Sequence, residues 1–455
     1  MVRKFAMKSV DLKRDSIVRL FFYYFLPALF SMLSMSTHAI VDGFFVAHAL
    51  GENTVAALGI TWPVFPMLVA CELLFAIGGS SLISYYLGKG DIQGAKKIFS
   101  SIIYFVLILG LCISVVLFLW TREIALFLGA SIQIEKMVVD YLEIIFLGAF
   151  IMFLHPVLDM FVVNDKRPVL AMSSMIIAAL GNVIFNYIFL FVMDLGIRAS
   201  ALATILGNTL AIVILLSHFV QKKGDLSFVR NFSLKDVLIS AKNGIPASVS
   251  EMSAGIVMLL YNVTLMQAIG ERGVIIYTVT MYGGIIFFTI LLSIAQGIQP
   301  ISSFNYGANQ LARVKEVYRF GLFFTLAVSF VVYGLFYMFG EEFARAFLDS
   351  KRAGLRDVEL ISDIAFVMKI WFVAYLALGI NMVSSIFLQS IQRPWGALLI
   401  TLCYTIILTP IFLPLLKQYF GEIGIWSAYP LASVITIFVA SIVLRYEFKK
   451  GVFAK

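Results

Sequence analysis

Displaced by 219 positions against itself, the chain brings its own landmarks into register. Pro27 falls on Pro246, Gly78 on Gly297, Ser84 on Ser303, Gly88 on Gly307 and Lys96 on Lys315. Ala49-Leu50-Gly51-Glu52 meets Ala268-Ile269-Gly270-Glu271, and the offset then grows a little, pairing Arg167-Pro168 with Arg393-Pro394 and Gly196-Ile197 with Gly424-Ile425. Both copies are intensely apolar. Duplicated apolar bundles commonly work by moving one part against the other around a site near the bilayer midplane, which points toward a transporter.

Hydrophobic residues make up 61% of the 455 positions and charged residues 13%, where a soluble domain carries about 25% charged residues. One core cannot hide that much apolar surface. Lipid must serve as the solvent, which leaves helices or a closed barrel as spanning structures. Uninterrupted apolar runs of roughly 20 residues select helices over alternating strands. Twelve such spans are predicted, six per copy, near 17–42, 56–87, 98–120, 138–160, 168–193, 199–220, 237–267, 273–305, 316–339, 360–390, 395–416 and 424–445. The first lacks a short apolar region with a small-residue cleavage site, and is read as a retained helix instead of a signal peptide. The expected organisation is an N-terminal tail 1–16, a first lobe 17–220, a polar linker 221–236, a second lobe 237–445 and a tail 446–455.

Alternating loops and the two tails carry 24 of the 34 Lys and Arg, and the opposite loops carry nine, with Lys369 left inside a span. The positive-inside rule makes the richer side, with both termini, cytoplasmic; loop 340–359, with four basic residues on the outer side, is a mild exception. The net charge of +8 mostly reflects these rims and implies no nucleic-acid partner. Cys71, Cys112 and Cys403 lie within spans without metal-type spacing.

The chain contains no G-x-x-x-x-G-K-[ST] loop; Gly88-Lys89-Gly90 closes a helix, with no strand before it and no Ser or Thr after the Lys. HExxH and GxSxG are missing as well, and the histidines at 38, 48, 155 and 218 are scattered, so neither hydrolysis nor an embedded enzyme is expected. No cofactor is implied. Transport would have to draw on an ion gradient.

Charged residues within spans are costly and face the bundle interior, which makes them the candidates. Asp42 ends the first span and shares a helix face with Ser31, Met35 and His38, at steps of three or four. Pro27 lies roughly 22 Å before it along a helix and forms a bending point, because it cannot donate a backbone hydrogen bond. Asp42 either binds a proton or sodium ion and biases that bend, or caps the loop 43–55. Asn182 and Asn186 are spaced i, i+4 in the fifth span, as are Ser200 and Thr204 in the sixth. Their oxygens suit a hard cation; equally, such side chains glue neighbouring helices. Glu251 lies five residues past Pro246 inside the seventh span, where Lys369 of the tenth span offers an ion-pair partner. Glu72, Glu143 and Asp159 are weaker candidates. Phe (42), Tyr (19) and Met (18) are abundant enough to line a cavity for flat lipophilic cations, although most must face lipid or pack helices. Arg167 and Arg393 read as topology anchors.

The six-plus-six layout, the Pro27/Asp42 helix, Leu-Gly-Lys-Gly-Asp (87–91), Asn-x-x-x-Asn, Gly-Ile-Arg-Ala-Ser-Ala-Leu-Ala-Thr (196–204) and Phe-Leu-Gln-Ser-Ile-Gln-Arg-Pro (387–394) resemble the multidrug and toxin extrusion (MATE) family over the whole chain, most closely its DinF-like bacterial branch. That resemblance implies an all-α polytopic membrane protein with twelve helices in two pseudo-symmetric six-helix lobes, V-shaped around a central cavity. It implies efflux of cationic or amphipathic drugs by proton or sodium antiport with alternating access, in a monomer of the cytoplasmic (inner) membrane, and a role in antibiotic resistance. The branch's cation site falls on Asp42, Asn182, Asn186 and Thr204, including any sodium. Position 186 departs from the pattern, since the branch carries an acidic residue there. His38 one turn from Asp42 is a candidate relay, and Glu251 resembles a functional Glu of the NorM-like branch, whose companion Asp in the tenth helix is missing here. A lipid-linked precursor flippase of the same superfamily is the alternative; it would need a cationic cavity, whereas the interior charge here is almost all carboxylate. The duplication is one of scaffold: Asp42 falls opposite Tyr261, Glu251 opposite Met32, Asn182 and Asn186 opposite Leu408 and Phe412, and Thr204 opposite Ala432.

Overall fold

A computed structural model of the chain describes residues 10–50, 52–347 and 355–449, and side chains within helices apart from those at 36–44, 47, 48, 52, 53, 55, 56, 347 and 355–357. Among the described residues all regular structure is helical. The first copy comprises α1 (Ile17–Leu50), α2 (Glu52–Thr61), α3 (Val64–Lys89), α4 (Ile92–Leu119), α5 (Thr121–Phe127), α6 (Glu135–Leu147), α7 (Ala149–Asn164), α8 (Pro168–Tyr187) with a π-helical extension Ile188–Val192, and α9 (Arg198–Val220). The second comprises α10 (Leu234–Ala268), α11 (Glu271–Gly307), α12 (Leu311–Phe347), α13 (Leu355–Trp371), α14 (Val373–Ser390), α15 (Pro394–Leu402), a π-helical turn Cys403–Ile407 and α16 (Leu408–Lys449).

Ten stretches are long and apolar enough to cross a bilayer, and the α6–α7 pair, bent by 48° at Gly148, makes an eleventh. The stretch Pro394–Lys449 counts once among the ten but is 56 residues long. A straight helix of that length would reach about 84 Å, nearly three times the hydrocarbon thickness. It is broken at Gly421 (φ 58°, ψ −132°) into two spans, which gives the twelve expected crossings. This is a multi-pass membrane protein.

The turns repeat as faithfully as the residues. After α3, Gly90 (φ 81°) donates to the Leu87 carbonyl and Asp91 to that of Tyr86. After α11, Asn309 (φ 58°) donates to Tyr306 and Gln310 to Asn305, the same pair of bonds 219 positions on. Lys166 and Gln392, both at positive φ, close α7 and α14 in the same way, just ahead of the two Arg-Pro pairs. The left-handed residue lets two orphan carbonyls of each helix end find donors. The Asp91 side chain then caps α4 by accepting the Gly94 N–H at 2.8 Å.

The chain partitions into two compact units: one runs to Ser248 and includes Ser303–Gln310, the other comprises Val249–Ser302 and the residues from Leu311 on. The linker 221–236 lies wholly within the first. Four of its backbone N–H groups are held from outside the linker: Asp165 Oδ1 accepts those of Asp225 (2.7 Å) and Leu226 (3.2 Å), Ser100 Oγ that of Val229 and Ser101 Oγ that of Ser233, both at 2.9 Å. The other oxygen of Asp165 meets His218 Nε2 at 2.7 Å, with both side chains essentially inaccessible. In the same unit α3 is crossed by the beginning of α10 and the end of α11 at glycines. A Cβ on Gly78 would overlap the Ser240 carbonyl oxygen, one on Gly88 that of Phe304, and one on Gly307 that of Tyr85. Gly88 and Gly307 are mates in the repeat, and so are Tyr85 and Phe304. This crossing is a contact between equivalent residues, with the backbone approach that small residues permit in lipid.

Candidate functional site

The region predicted for the cation site is built on α8 and α9. Pro168 occupies the first helical position of α8, where its missing N–H has no consequence, and Gly196 (φ 60°) turns the chain into α9. Gly207 brings the two helices together: a Cβ there would lie 2.7 Å from the Ala178 carbonyl oxygen. Across this close contact a hydrogen-bonded chain forms. Asn186 Nδ2 donates to Asn182 Oδ1 (2.9 Å), and Asn182 Nδ2 donates to Thr204 Oγ1 (3.3 Å). Both asparagines are buried, at 1% and 0% exposure. Three of the four residues assigned by resemblance are thus brought together. Ser200, also picked out by spacing, is buried on the same helix.

The side chains of Asp42 and His38 lie outside the described residues, but the α1 backbone fixes their level. Tyr23 Oη donates to the Lys166 carbonyl (2.8 Å) at one end of α1, and Phe45 meets Phe191 with ring centroids 6.0 Å apart at the other, so α1 runs parallel to α8. Val46 packs in a cluster with Leu190 and Ala199. One turn back along each helix, position 42 stands level with Asn186. The stretch after Asp42 that reads as loop instead continues α1 as helix to Leu50.

The chain also extends beyond these residues. Asn208, one turn beyond Thr204, donates through Nδ2 to the Thr204 carbonyl (2.8 Å), and its Oδ1 lies 2.6 Å from His155 Nδ1 on α7. An amide oxygen only accepts, so Nδ1 carries the hydrogen in this arrangement. The i, i+4 pair Thr204/Asn208 was readable in the sequence. The contact with His155, 53 residues away, was not.

The remaining candidates are dispersed. Glu251 is half-buried on α10 in the second unit. The expected ion pair with Lys369 does not form among the described residues: the Lys369 ammonium instead lies over the Tyr337 ring, 4.9 Å from its centroid, where the π face offers a cation a partner without a buried carboxylate. Pro27 and Pro246 lie inside helices that continue past them. Glu143 faces Arg198 (3.7 Å), which pairs more closely with Asp140 (2.6 Å). Glu72 is half-buried on α3 and Asp159 half-buried on α7, and Arg393 pairs with Glu447 at 3.0 Å. Among the described residues no group of three His, Cys, Asp or Glu is arranged to hold a metal ion.

The chain is 24% identical over 421 residues to the multidrug export protein MepA of Staphylococcus saprophyticus, covering 91% of each, and 25% identical over 422 residues to MepA of Staphylococcus aureus, again covering 91% of each. Its fold superposes on an outward-facing multidrug resistance MATE family transporter of the MOP superfamily with a TM-score of 0.89 at 21% identity, covering 97% of this chain and 98% of the other. A MOP superfamily transporter from Pyrococcus furiosus, described with a binding pocket of reverse polarity, superposes with the same score at 22% identity and the same coverage. The MatE family profile matches residues 27–188 and again 246–415, so each match opens on one of the paired prolines. The chain belongs to the MATE family of transporters.

Proposed function

We propose that this protein exports cationic and amphipathic drugs across the cytoplasmic membrane by antiport against a cation, its two lobes giving access to each side in turn and both termini facing the cytoplasm. The observation that carries the reading is the buried chain Asn186–Asn182–Thr204 standing level with position 42. In lipid a lone carboxylate is expensive unless polar partners surround it, and these amides and the hydroxyl supply them. With Asn186 where the branch has an acid, Asp42 is the single carboxylate of the site, which favours a proton over sodium, whose capture calls for more oxygen charge. Protonation at Asp42 and drug binding then favour opposite states, the condition for one to drive the other. Pro27 and Pro246 serve as bending points, and the chain acts as a monomer.

Export of MepA-like range is supported by relatives named for multidrug export that match along most of both chains. The test is efflux of ethidium, a flat fluorescent cation, from proteoliposomes under imposed proton or sodium gradients, with Asp42→Asn and Glu251→Gln beside the wild type. Proton-driven efflux that collapses in Asp42→Asn is the expected result. Undiminished gradient-driven efflux in both variants would remove carboxylate coupling from the account.

A further inference from the structure

Residues 10–16, just ahead of α1, read in sequence as a tail, yet the fold presses them inward. Val10 and Leu12 are 6% and 3% exposed, whereas Asp11, Lys13 and Arg14 between and beside them are exposed. The segment is bonded to itself as a turn. The Asp11 carbonyl accepts the N–H groups of Arg14 (3.2 Å) and Asp15 (2.9 Å), and the Asp15 carboxylate accepts that of Asp11 (2.9 Å). A distant element then takes hold of it: Asn305 of α11, itself fully buried, donates through Nδ2 to the Leu12 carbonyl at 3.1 Å.

By sequence α11 belongs to the second copy, but its last stretch, from Ser303 through Gly307 and the turn to Gln310, packs within the first unit. There it crosses α3 at Gly88 and Gly307, and Ser303 Oγ donates to Ser81 Oγ at 3.4 Å. We propose that residues 10–16 are a strap that fastens this crossing on the predicted cytoplasmic rim, tying the start of α1 to the end of α11, and that the strap must let go before that side opens. The proposal rests on the alternating-access reading and adds the part that locks one face. The strap is not duplicated. Leu12 and Asn305 fall opposite Asn231 and Tyr86, so neither the apolar anchor nor the amide donor recurs at these positions.

The chemistry suits a fastening that opens and closes. Val10 and Leu12 leave water when the strap is down, which favours closure without fixing direction. The bond from Asn305 supplies the register, because an amide donor accepts only a narrow geometry. Both of its partners are neutral, and once released each finds water at the rim, so opening forfeits only the small net value of an exchanged hydrogen bond. The strap also leads directly into α1, which carries position 42 toward its other end. One helix therefore joins the locked rim to the level of the Asn186–Asn182–Thr204 chain.

Two measurements decide it, both in a background where Cys71, Cys112 and Cys403 are replaced by Ala. The first needs no substrate: the rate at which a maleimide labels Leu12→Cys in the purified protein. Labelling is expected to be much slower than at the exposed Lys13→Cys, and to quicken about fivefold when Asn305→Leu removes the donor. The second joins the strap covalently. Leu12→Cys with Asn305→Cys, reconstituted in proteoliposomes, is expected to cross-link on oxidation and to lose ethidium efflux down to the level of empty liposomes, with recovery on adding reductant. A cross-linked protein that exports ethidium as fast as its reduced form overturns the proposal. So does a pair that fails to cross-link, or labelling at Leu12→Cys as fast as at Lys13→Cys. If the reduced pair is itself inactive, the acceleration by Asn305→Leu decides. A wild type that exports nothing under any gradient defeats the antiport reading instead, while the labelling rates still report whether the strap is fastened.

Discussion

Position 42 and position 261 occupy the same place in the repeat and have opposite surroundings. Level with position 42 run the amides and hydroxyl of Asn186, Asn182 and Thr204. Tyr261 is fully buried in an aromatic box: it stacks on Tyr277 (5.5 Å), meets Trp371 edge-on (4.8 Å), and its hydroxyl accepts the Tyr429 N–H at 2.9 Å. The contrast extends beyond one pair. The 226-residue offset that matches Arg167 with Arg393 places Asn381 opposite His155, Ser385 opposite Asp159 and Ile391 opposite Asp165. Asn381 donates to the Ser433 carbonyl (2.9 Å), and Ser385 meets Thr401 (3.4 Å), so the second half keeps the hydrogen bonds and drops the titrating groups. Duplication has retained what steers the backbone, namely turn residues and crossing glycines. The buried polar and titratable side chains have diverged.

The comparison can be strained at several points. The largest effect is expected at Asp165, whose counterpart Ile391 needs no partner. Asp165→Ala leaves His218 and two linker N–H groups without their acceptor, and breaking such a buried pair costs about 3–5 kcal/mol; thermal unfolding in detergent reads it as a large drop in Tm. An unchanged Tm would mean the linker is not held by that carboxylate. Next, Asp42→Asn is expected to lower proton-driven efflux roughly 100-fold, with the fold intact. Thr204→Val, which removes the acceptor of Asn182 at nearly constant volume, is expected to cost about tenfold in the same assay. The smallest effect belongs to Tyr261→Phe: loss of one hydrogen bond, about 1 kcal/mol of stability, with coupling untouched. A coupling defect in Tyr261→Phe would show that the aromatic box takes part in transport and would erase the distinction between the halves.

Span count, duplication and the α8–α9 residues were all legible in the chain, because each depends on local pattern or on residues one turn apart. What was not legible depends on contacts distant in sequence. The polar stretch 221–236 reads as a tether, yet Asp165, Ser100 and Ser101 immobilise its backbone. At the bend, Ile205 of α9 fills the space a Cβ on Gly148 would need. Asp42 reads as the end of the first span, but α1 persists to Leu50, packed on the end of α8. His155 reads as an isolated histidine until α9 brings Asn208 to it.

Under the proposed antiport, titration linked to transport resides in the first half. The most direct test is the pH dependence of ethidium binding to the purified protein, with Asp42→Asn and Glu251→Gln compared with wild type. Protonating Asp42 removes the charge that favours the cation-binding state, so wild-type affinity should weaken as pH falls. The slope is expected to be strongly reduced in Asp42→Asn and intact in Glu251→Gln. A slope that survives Asp42→Asn and vanishes in Glu251→Gln would contradict it and move the coupling chemistry to the second half.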